Sequence, residues 1–488
     1  MTFNSAVFFV FFGVFFILFA AARRRTLRKL ILLAGSYVFY GYWNIPLCSL
    51  IIASTLTDFI AARQIEKAVS VKTKRVWLIA SLIVNLGLLG VFKYANFFID
   101  SFIAMAYGLG IDLSGSIAIR LILPIGISFY TFQTMAYTID VYRGKIRAER
   151  NFLNFATFVA FFPQLVAGPI ERAKDLLPQI REGGRPSLKG ITEGLPRVLF
   201  GLFKKVVIAD NIGSMVDVVF GNVTGAHTLA LWIATYGFAV QIYCDFSGYC
   251  DIAVGIARMI GIRLTENFRS PYGATSVRDF WRRWHITLSS WIRDYLYISL
   301  GGNKGRVPRR VLVLLLTMGL CGLWHGASWN FVAWGLFHGI LLAGYYAIRS
   351  LREKRLGRPL PEAPRTRLAR AASVVFTFHL VCFGWVLFRI PSLVTALSIW
   401  GRMLSVWTLF NADVLHRMFF SPTTIEMLLT LFVIAAIVLR QMALRDRPVV
   451  TLSERMPAPV LGGVYSIMVM MVIVLAKAVG PEFIYFQF

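Results

Sequence analysis

Long apolar runs alternate with short polar, mostly basic stretches along this chain. The runs lie near 6–22, 30–44, 46–62, 77–92, 119–139, 196–216, 229–257, 311–324, 328–348, 371–389, 427–440 and 459–479. A helix perpendicular to a bilayer needs about 20 predominantly apolar residues. Several of the runs are shorter, which predicts tilted, fused or re-entrant segments beside plain spans. A membrane barrel would show short alternating segments instead. The pattern therefore predicts an all-α polytopic membrane protein of about 11–12 transmembrane helices, with re-entrant or interfacial helices. The whole chain, 1–488, reads as one membrane-embedded domain.

The polar stretches at 23–29, 63–75, 143–150, 172–197, 258–310, 349–370 and 440–447 are rich in Lys and Arg. They fall on one side of the membrane if 152–170 dips in and returns. That segment contains Phe161-Phe-Pro-Gln-Leu-Val-Ala-Gly-Pro169, whose prolines and glycine break a continuous helix. Residues 6–22 are followed by Arg23-Arg24-Arg25 rather than preceded by charge, so they read as a retained first span with its N-terminus outside, not as a signal peptide. The stretch 258–310 holds eleven Lys/Arg against three Asp/Glu. It is also too aromatic for a solvated linker and reads as interfacial or re-entrant helices facing the cytoplasm. Within it, helical spacing puts Trp281, Trp284, His285, Leu288, Ile292 and Tyr295 on one stripe, which predicts a continuous helix over 280–297.

Composition narrows the class. Of 488 residues, 57% are hydrophobic and 15% charged, against about 25% charged in a soluble domain. Lys and Arg number 51 against 24 acidic residues, a formal charge of +27. No loop is long enough for a basic domain, so the excess is read as positive-inside bias and nucleic-acid binding is excluded. The five cysteines show no C-x-x-C spacing, so neither a disulfide framework nor a metal site is expected.

The candidate chemistry rests on two histidines. His285 and His325 each sit in a tryptophan-rich apolar setting, the second in Leu323-Trp-His-Gly-Ala-Ser-Trp-Asn330. A buried imidazole is costly without a partner or a job. Each reads either as a structural histidine bonded to a backbone carbonyl or as a proton-transfer group, His325 as general base and His285 as its orienter or an oxyanion stabiliser. Trp324, Asn330 and Trp284 complete a candidate substrate-binding set. Arg282 and Arg283 suit the phosphates of a nucleotide-type donor, although cytoplasmic loop bias alone predicts such a cluster. Cys321 lies one helical turn before His325; a thioester-forming Cys–His pair is the sharper reading and a small apolar residue the favoured one. His338 and His379 read as structural, and His227 and His416 fall in expected loops. Asp245 and Asp251 stand inside an apolar run, and ion pairs with arginines of 258–310 are expected, Arg258 lying two turns from Asp251.

Five blocks, in this order, resemble the membrane-bound O-acyltransferase family, most closely its bacterial polysaccharide branch. They are Leu123-Pro-Ile-Gly-Ile-Ser-Phe-Tyr-Thr-Phe-Gln133 with Ile139-Asp-Val-Tyr-Arg143, Phe161-Phe-Pro-Gln-Leu-Val-Ala-Gly-Pro-Ile170, Gly201-Leu-Phe-Lys-Lys-Val-Val-Ile-Ala-Asp-Asn211, Gln241-Ile-Tyr-Cys-Asp-Phe-Ser-Gly-Tyr-Cys-Asp251, and the block from Phe280 through Gly301-Gly302-Asn303 to His325. They cover about residues 120–340, the signature core; the flanks match only as apolar segments. The resemblance implies transfer of an acyl group from a thioester to a hydroxyl, with His325 as the catalytic histidine and His285 as the second signature position. For the polysaccharide branch it further implies acetyl-CoA as cytoplasmic donor, no metal, an alginate-type exopolysaccharide as acceptor, the bacterial inner membrane as location, and a periplasmic hydrolase-like partner. No Gly-Asp-Ser hydrolase motif occurs in this chain, so that partner would be a separate protein. Within the family, D-alanyl transfer to teichoic acid and acetylation of peptidoglycan or cellulose are the alternatives. A proton-coupled secondary transporter is the rival of another class, and it would carry internal repeats that this sequence lacks.

Overall fold

A computed structural model describes residues 1–113, 121, 123–361, 363–364, 366–405, 424–443, 456–477 and 483–484. His416 lies outside them. The described elements are helices joined by turns, with no strand among the described residues. Among the described residues, seven helices are long and apolar enough to cross a membrane: Cys48–Lys67, Val71–Gly108, Thr228–Met259, Val307–His325, Trp329–Leu356, Arg367–Arg389 and Ala458–Leu475. The chain is thus an all-α multi-pass membrane protein. Shorter apolar helices supply others of the expected segments.

The described residues group into two compact units, Met1–Phe200 with Tyr249–Thr265, and Gly201–Gly248 with Glu266–Phe488. The first begins with α1 (Ala6–Ala21), started by Ser5, whose hydroxyl accepts the Phe8 N–H at 3.2 Å. Phe8, Phe15 and Phe19 of this helix are buried, and Phe8 and Phe15 pack on Phe39 of α2 (Arg25–Gly41) and on Phe162 respectively. Next come α3 (Cys48–Lys67), α4 (Val71–Leu89), α5 (Ala95–Gly108) and α6 (Ile127–Tyr142). α4 runs into α5 through a π-helical segment, Gly90–Tyr94, which makes one span longer than the apolar run 77–92 foretold. Where α3, α4 and α6 meet, the fully buried Asp58 accepts hydrogen bonds from Ser81 Oγ (2.5 Å), Thr138 Oγ1 (2.6 Å) and Asn85 Nδ2 (2.7 Å).

The expected break in 152–170 is present. α7 (Phe152–Ala160) ends at Phe161, and the four-residue α8 (Phe162–Leu165) restarts with Pro163 in its first turn, where a missing N–H costs nothing. The carbonyl of Phe158 freed there accepts from Gln133 Nε2 at 2.9 Å and Gln164 Nε2 at 3.1 Å. α9 (Ala173–Glu182) and α10 (Leu188–Leu202) follow.

The carboxylate pairings differ from expectation. Asp251 accepts from Arg197 Nε and Nη2 at 3.1 and 3.0 Å, while Arg258 pairs with Glu193. The reason is helix packing: α12 (Thr228–Met259) lies against α10 so closely that a Cβ on Gly255 would stand 2.7 Å from the Gly194 carbonyl oxygen. That contact brings acids and bases of neighbouring helices nearer than two turns along one helix. Asp245 is likewise paired outside 258–310. Lys205, in the π-helical segment Phe203–Ala209 that leads into α11 (Asp210–Gly221), bridges Asp245 at 2.9 Å and Asp210 at 2.8 Å.

In the second unit, α13 (Val277–Trp281) and α14 (Ile286–Trp291) precede a hairpin of α15 (Val307–His325) and α16 (Trp329–Leu356), then α17 (Arg367–Arg389) and α18 (Leu393–Leu404). Glycines set the hairpin's spacing. A side chain on Gly322 would collide with the Phe331 carbonyl, and one on Gly335 with the Met318 carbonyl, so the two backbones touch as small residues allow. α18 was not foretold, because Ser398 and Arg402 dilute its apolar run. Arg402 turns to donate to the carbonyl of Val223 at 2.6 Å and to that of Ala226. Two helices, Thr424–Ala443 and Ala458–Leu475, complete the described elements.

Candidate active site

The aromatic stripe of 280–297 does not form one helix. Ser276 caps α13 by accepting the Asp279 N–H at 3.1 Å, while Asp279 Oδ2 accepts the Thr275 N–H at 3.0 Å. The helix then stops at Trp281, and His285 adopts a left-handed conformation (φ 43°, ψ 55°) as the cap of α14. This backbone costs a non-glycine residue about 1–3 kcal/mol. Extended chain alongside offsets it: Ile286 donates its N–H to the Asn267 carbonyl and Arg269 donates to the Arg283 carbonyl, both at 2.9 Å. The neighbour supplies an acceptor for the Ile286 N–H and a donor for the Arg283 carbonyl, partners that a continuing helix would have supplied itself, so the expected helix 280–297 is two short helices and a π-helical turn, Ile292–Tyr297.

The break aims His285 inward. The residue is fully buried, and its Nδ1 lies 3.1 Å from Asn267 Oδ1. That oxygen also accepts from Thr287 N (3.2 Å) and Thr287 Oγ1 (2.9 Å). An amide oxygen only accepts, so Nδ1 carries the proton and the Nε2 lone pair is the one turned elsewhere. Burial pushes the imidazole down to about 3, so it is neutral at physiological pH.

His325 is the last residue of α15, before Gly326 in an extended conformation, and is buried. The two histidine rings stand 6.4 Å apart between centroids, with Trp324 beside both, 5.9 Å from His285 and 5.0 Å from His325. Trp334 (4.9 Å) and Phe388 (5.6 Å) wall the other sides of His325, and Phe246 stacks edge-on to His285 at 4.8 Å. Phe246 in turn touches Phe483, while Ile484 donates its N–H to Asp245 Oδ2 at 2.7 Å. The arrangement is an aromatic chamber around two imidazoles, groups suited to moving one proton at a reacting hydroxyl.

The remaining sequence candidates are placed as follows. Trp284 is fully buried and packs on Phe280, Phe268 and Trp385. Asn330 Nδ2 donates to the carbonyls of Leu387 (3.4 Å) and Ile390 (3.2 Å), so it ties α16 to the end of α17. Arg283 is buried and bound to Asp279 Oδ1 (2.8 Å) and the Arg269 carbonyl (3.2 Å), whereas Arg282 is exposed. Cys321 is buried within α15. No cluster of three or more His, Cys, Asp or Glu side chains that could hold a metal ion occurs among the described residues.

Asn267, Phe246, Trp334 and Phe388 belong to the chamber and went unrecognised in the sequence. Phe246 was within reach, since it sits between Asp245 and Ser247 in an already suspicious block. Asn267 carries no local signal; only its long-range pairing with 285–287 reveals it.

A probable alginate O-acetylase of Azotobacter vinelandii is 41% identical over 441 residues, covering 90% of this chain and 84% of that protein. A peptidoglycan O-acetyltransferase of Helicobacter pylori is 37% identical over 420 residues, 80% of this chain and 76% of its own. A teichoic acid D-alanyltransferase of Bacillus subtilis is 28% identical over 279 residues, 55% and 69% respectively. The model of the membrane-bound O-acyltransferase family matches residues 32–388, a span that contains both histidines, and this chain belongs to that family of membrane O-acyltransferases.

Proposed function

We propose that this protein moves an acetyl group from cytoplasmic acetyl-CoA toward hydroxyls of an exopolysaccharide of the alginate type, as a single membrane-embedded transferase in the bacterial inner membrane. The observation that carries the reading is the buried His285–His325 pair around Trp324. His325 acts as general base. It takes the proton of the acceptor hydroxyl as the hydroxyl oxygen attacks the thioester carbonyl; the tetrahedral oxyanion collapses, the carbon–sulfur bond breaks, and the CoA thiolate leaves. His285, held neutral and pinned through Nδ1, stands beside the reacting centre as its orienting partner. Trp284 and Trp324 shape the chamber that excludes water, and Asn330 fixes the turn between His325 and Trp334. Arg282, exposed at the rim of 258–310, contacts the donor phosphates, and Arg283 braces that corner through Asp279. The name borne by the Azotobacter relative and its identity across most of this chain support the polysaccharide acceptor over D-alanyl transfer. A separate periplasmic hydrolase-like protein completes delivery.

The experiment is complementation of a deletion strain. Wild-type chain restores acetyl groups on the secreted polymer, and His325→Ala, present at normal level in the membrane, does not, since a general base contributes typically about 10²–10⁴-fold. In the same cells, Lys304→Cys reacts with thiol reagents only from the cytoplasmic side. Normal acetylation with His325→Ala rejects the base; labelling of position 304 from outside rejects the cytoplasmic donor.

A further inference from the structure

His338 reads from the sequence as a packing or hydrogen-bonding residue, and its surroundings favour the second. It lies on α16 four residues after Trp334, hence on the same helix face. The side chain is fully buried, and neither ring nitrogen has a hydrogen-bond partner among the described residues. The indole Nε1 atoms of Trp281 and Trp334 are buried in the same state. The three rings form a closed triangle, with centroids 5.0 Å apart for Trp334 and His338, 5.2 Å for Trp281 and His338, and 5.7 Å for Trp281 and Trp334. Trp334 presents another side to His325. Room for the imidazole depends on α17, where a Cβ on Gly384 would stand 2.7 Å from His338 Nε2.

Buried polar atoms without partners are costly, while an apolar group of the same shape in their place is nearly neutral or stabilising. Phenylalanine, a somewhat larger ring with no nitrogen to satisfy, suits an aromatic cluster of this kind, so apolar packing alone gives no reason for a histidine here. A neutral imidazole offers one N–H and one lone pair, and each indole one N–H. Together the three rings present three donors and one acceptor: two N–H groups can satisfy the two lone pairs of one oxygen atom, and the imidazole lone pair can accept from a water O–H.

We propose that Trp281, Trp334 and His338 line a hydrogen-bonding subsite beside His325 that takes one oxygen group, a bound water or the carbonyl oxygen of the acyl donor. The inference rests on His325 as the reacting base. It makes His338 a third histidine on whose nitrogens, and not only on whose bulk, transfer depends.

The test uses membrane vesicles carrying the full chain, supplied with acetyl-CoA, with CoA thiol release and polymer acetylation measured beside thermal stability. His338→Phe is expected to insert and to melt close to the wild-type temperature yet to transfer at least tenfold more slowly. His338→Gln, which restores an N–H and an acceptor, is expected to recover part of the rate. Wild-type turnover by His338→Phe overturns the subsite. Should that variant fail to insert, Trp281→Phe and Trp334→Phe each remove one N–H and keep an aromatic ring; several-fold losses are expected, and wild-type turnover by both overturns the subsite. A loss that differs between acetyl-CoA and propionyl-CoA identifies the acyl carbonyl as occupant, and an equal loss with a changed solvent isotope effect identifies water. His325→Ala, run in parallel, separates the two readings: full transfer by that variant removes the base, whatever His338→Phe does.

Discussion

Replacement of Asn267 tests how the chamber is set. Its Oδ1 is the acceptor for His285 Nδ1, Thr287 N and Thr287 Oγ1. Asn267→Leu keeps the volume and removes the acceptor, leaving three buried donors. At about 1–3 kcal/mol for each unmade bond the ceiling is about 3–9 kcal/mol. The Thr287 hydroxyl can turn to another acceptor, which brings the expected loss of stability to about 2–5 kcal/mol. The chemical effect is separate: with Nδ1 unpinned, the His285 proton can move to Nε2 and the ring can rotate, so its lone pair no longer faces the reacting centre. A fall in transfer of about ten- to a hundredfold is expected, by analogy with the loss of partners that orient metal-bound histidines. Asn267→Asp retains an acceptor in place and is expected to transfer better than Asn267→Leu. A nearby carboxylate raises an imidazole by about 1–3 pH units, which from about 3 still leaves His285 mostly neutral at pH 7. Vesicle transfer assays and thermal melts on both variants decide the matter. If Asn267→Leu transfers at the wild-type rate with wild-type stability, His285 is not held as described.

Other consequences follow from the same geometry. Because burial holds His285 near 3 in the folded protein against about 6.5 when exposed, the unfolded chain carries the extra proton between those values. The corresponding stability is full above about pH 6.5 and is lost as pH falls toward 3, by about 5 kcal/mol at most; melting temperatures of His285→Phe should therefore fall less steeply with acidification than those of wild type. Cys321→Ser should retain substantial transfer, and recovery of an acetylated Cys321 peptide after brief exposure to donor would show a thioester step instead. Asp58→Ala strips the acceptor from Ser81, Thr138 and Asn85 and should destabilise the protein by about 3–6 kcal/mol, whereas Asp58→Asn, which keeps one oxygen, should cost less; equal melting of the two would show that those hydrogen bonds carry no stability.

Much of the fold was legible because apolar length and charge placement report directly on membrane spans. The break at Phe161–Pro163 was visible for the same reason, since proline and glycine act locally. His325 stood out in the sequence through its Trp-His-Gly setting and the family blocks, and the structure buries it 6.4 Å from His285 between ring centroids. What escaped depends on partners distant in sequence. The stripe through Trp281, His285 and Tyr295 satisfies helical periodicity, yet the chain breaks at His285 because Asn267 and Arg269 compete for its backbone bonds. Asp251 chose Arg197 over Arg258 because the approach of α10 to α12 is set by glycine contacts that periodicity does not encode. For His338 the sequence left packing and hydrogen bonding both open for the same reason, its indole neighbours coming from α13 as well as from its own helix.

The central claim, that His325 is the base of an O-acyl transfer, is tested most directly by single-turnover acetyl transfer in inside-out membrane vesicles bearing wild-type chain or His325→Ala at equal level, with acetyl-CoA supplied at the exposed cytoplasmic face. Wild type is expected to couple CoA thiol release to polymer acetylation, and His325→Ala to lose both by at least a hundredfold with unchanged thermal stability. Coupled release and acetylation at the wild-type rate by His325→Ala would contradict it.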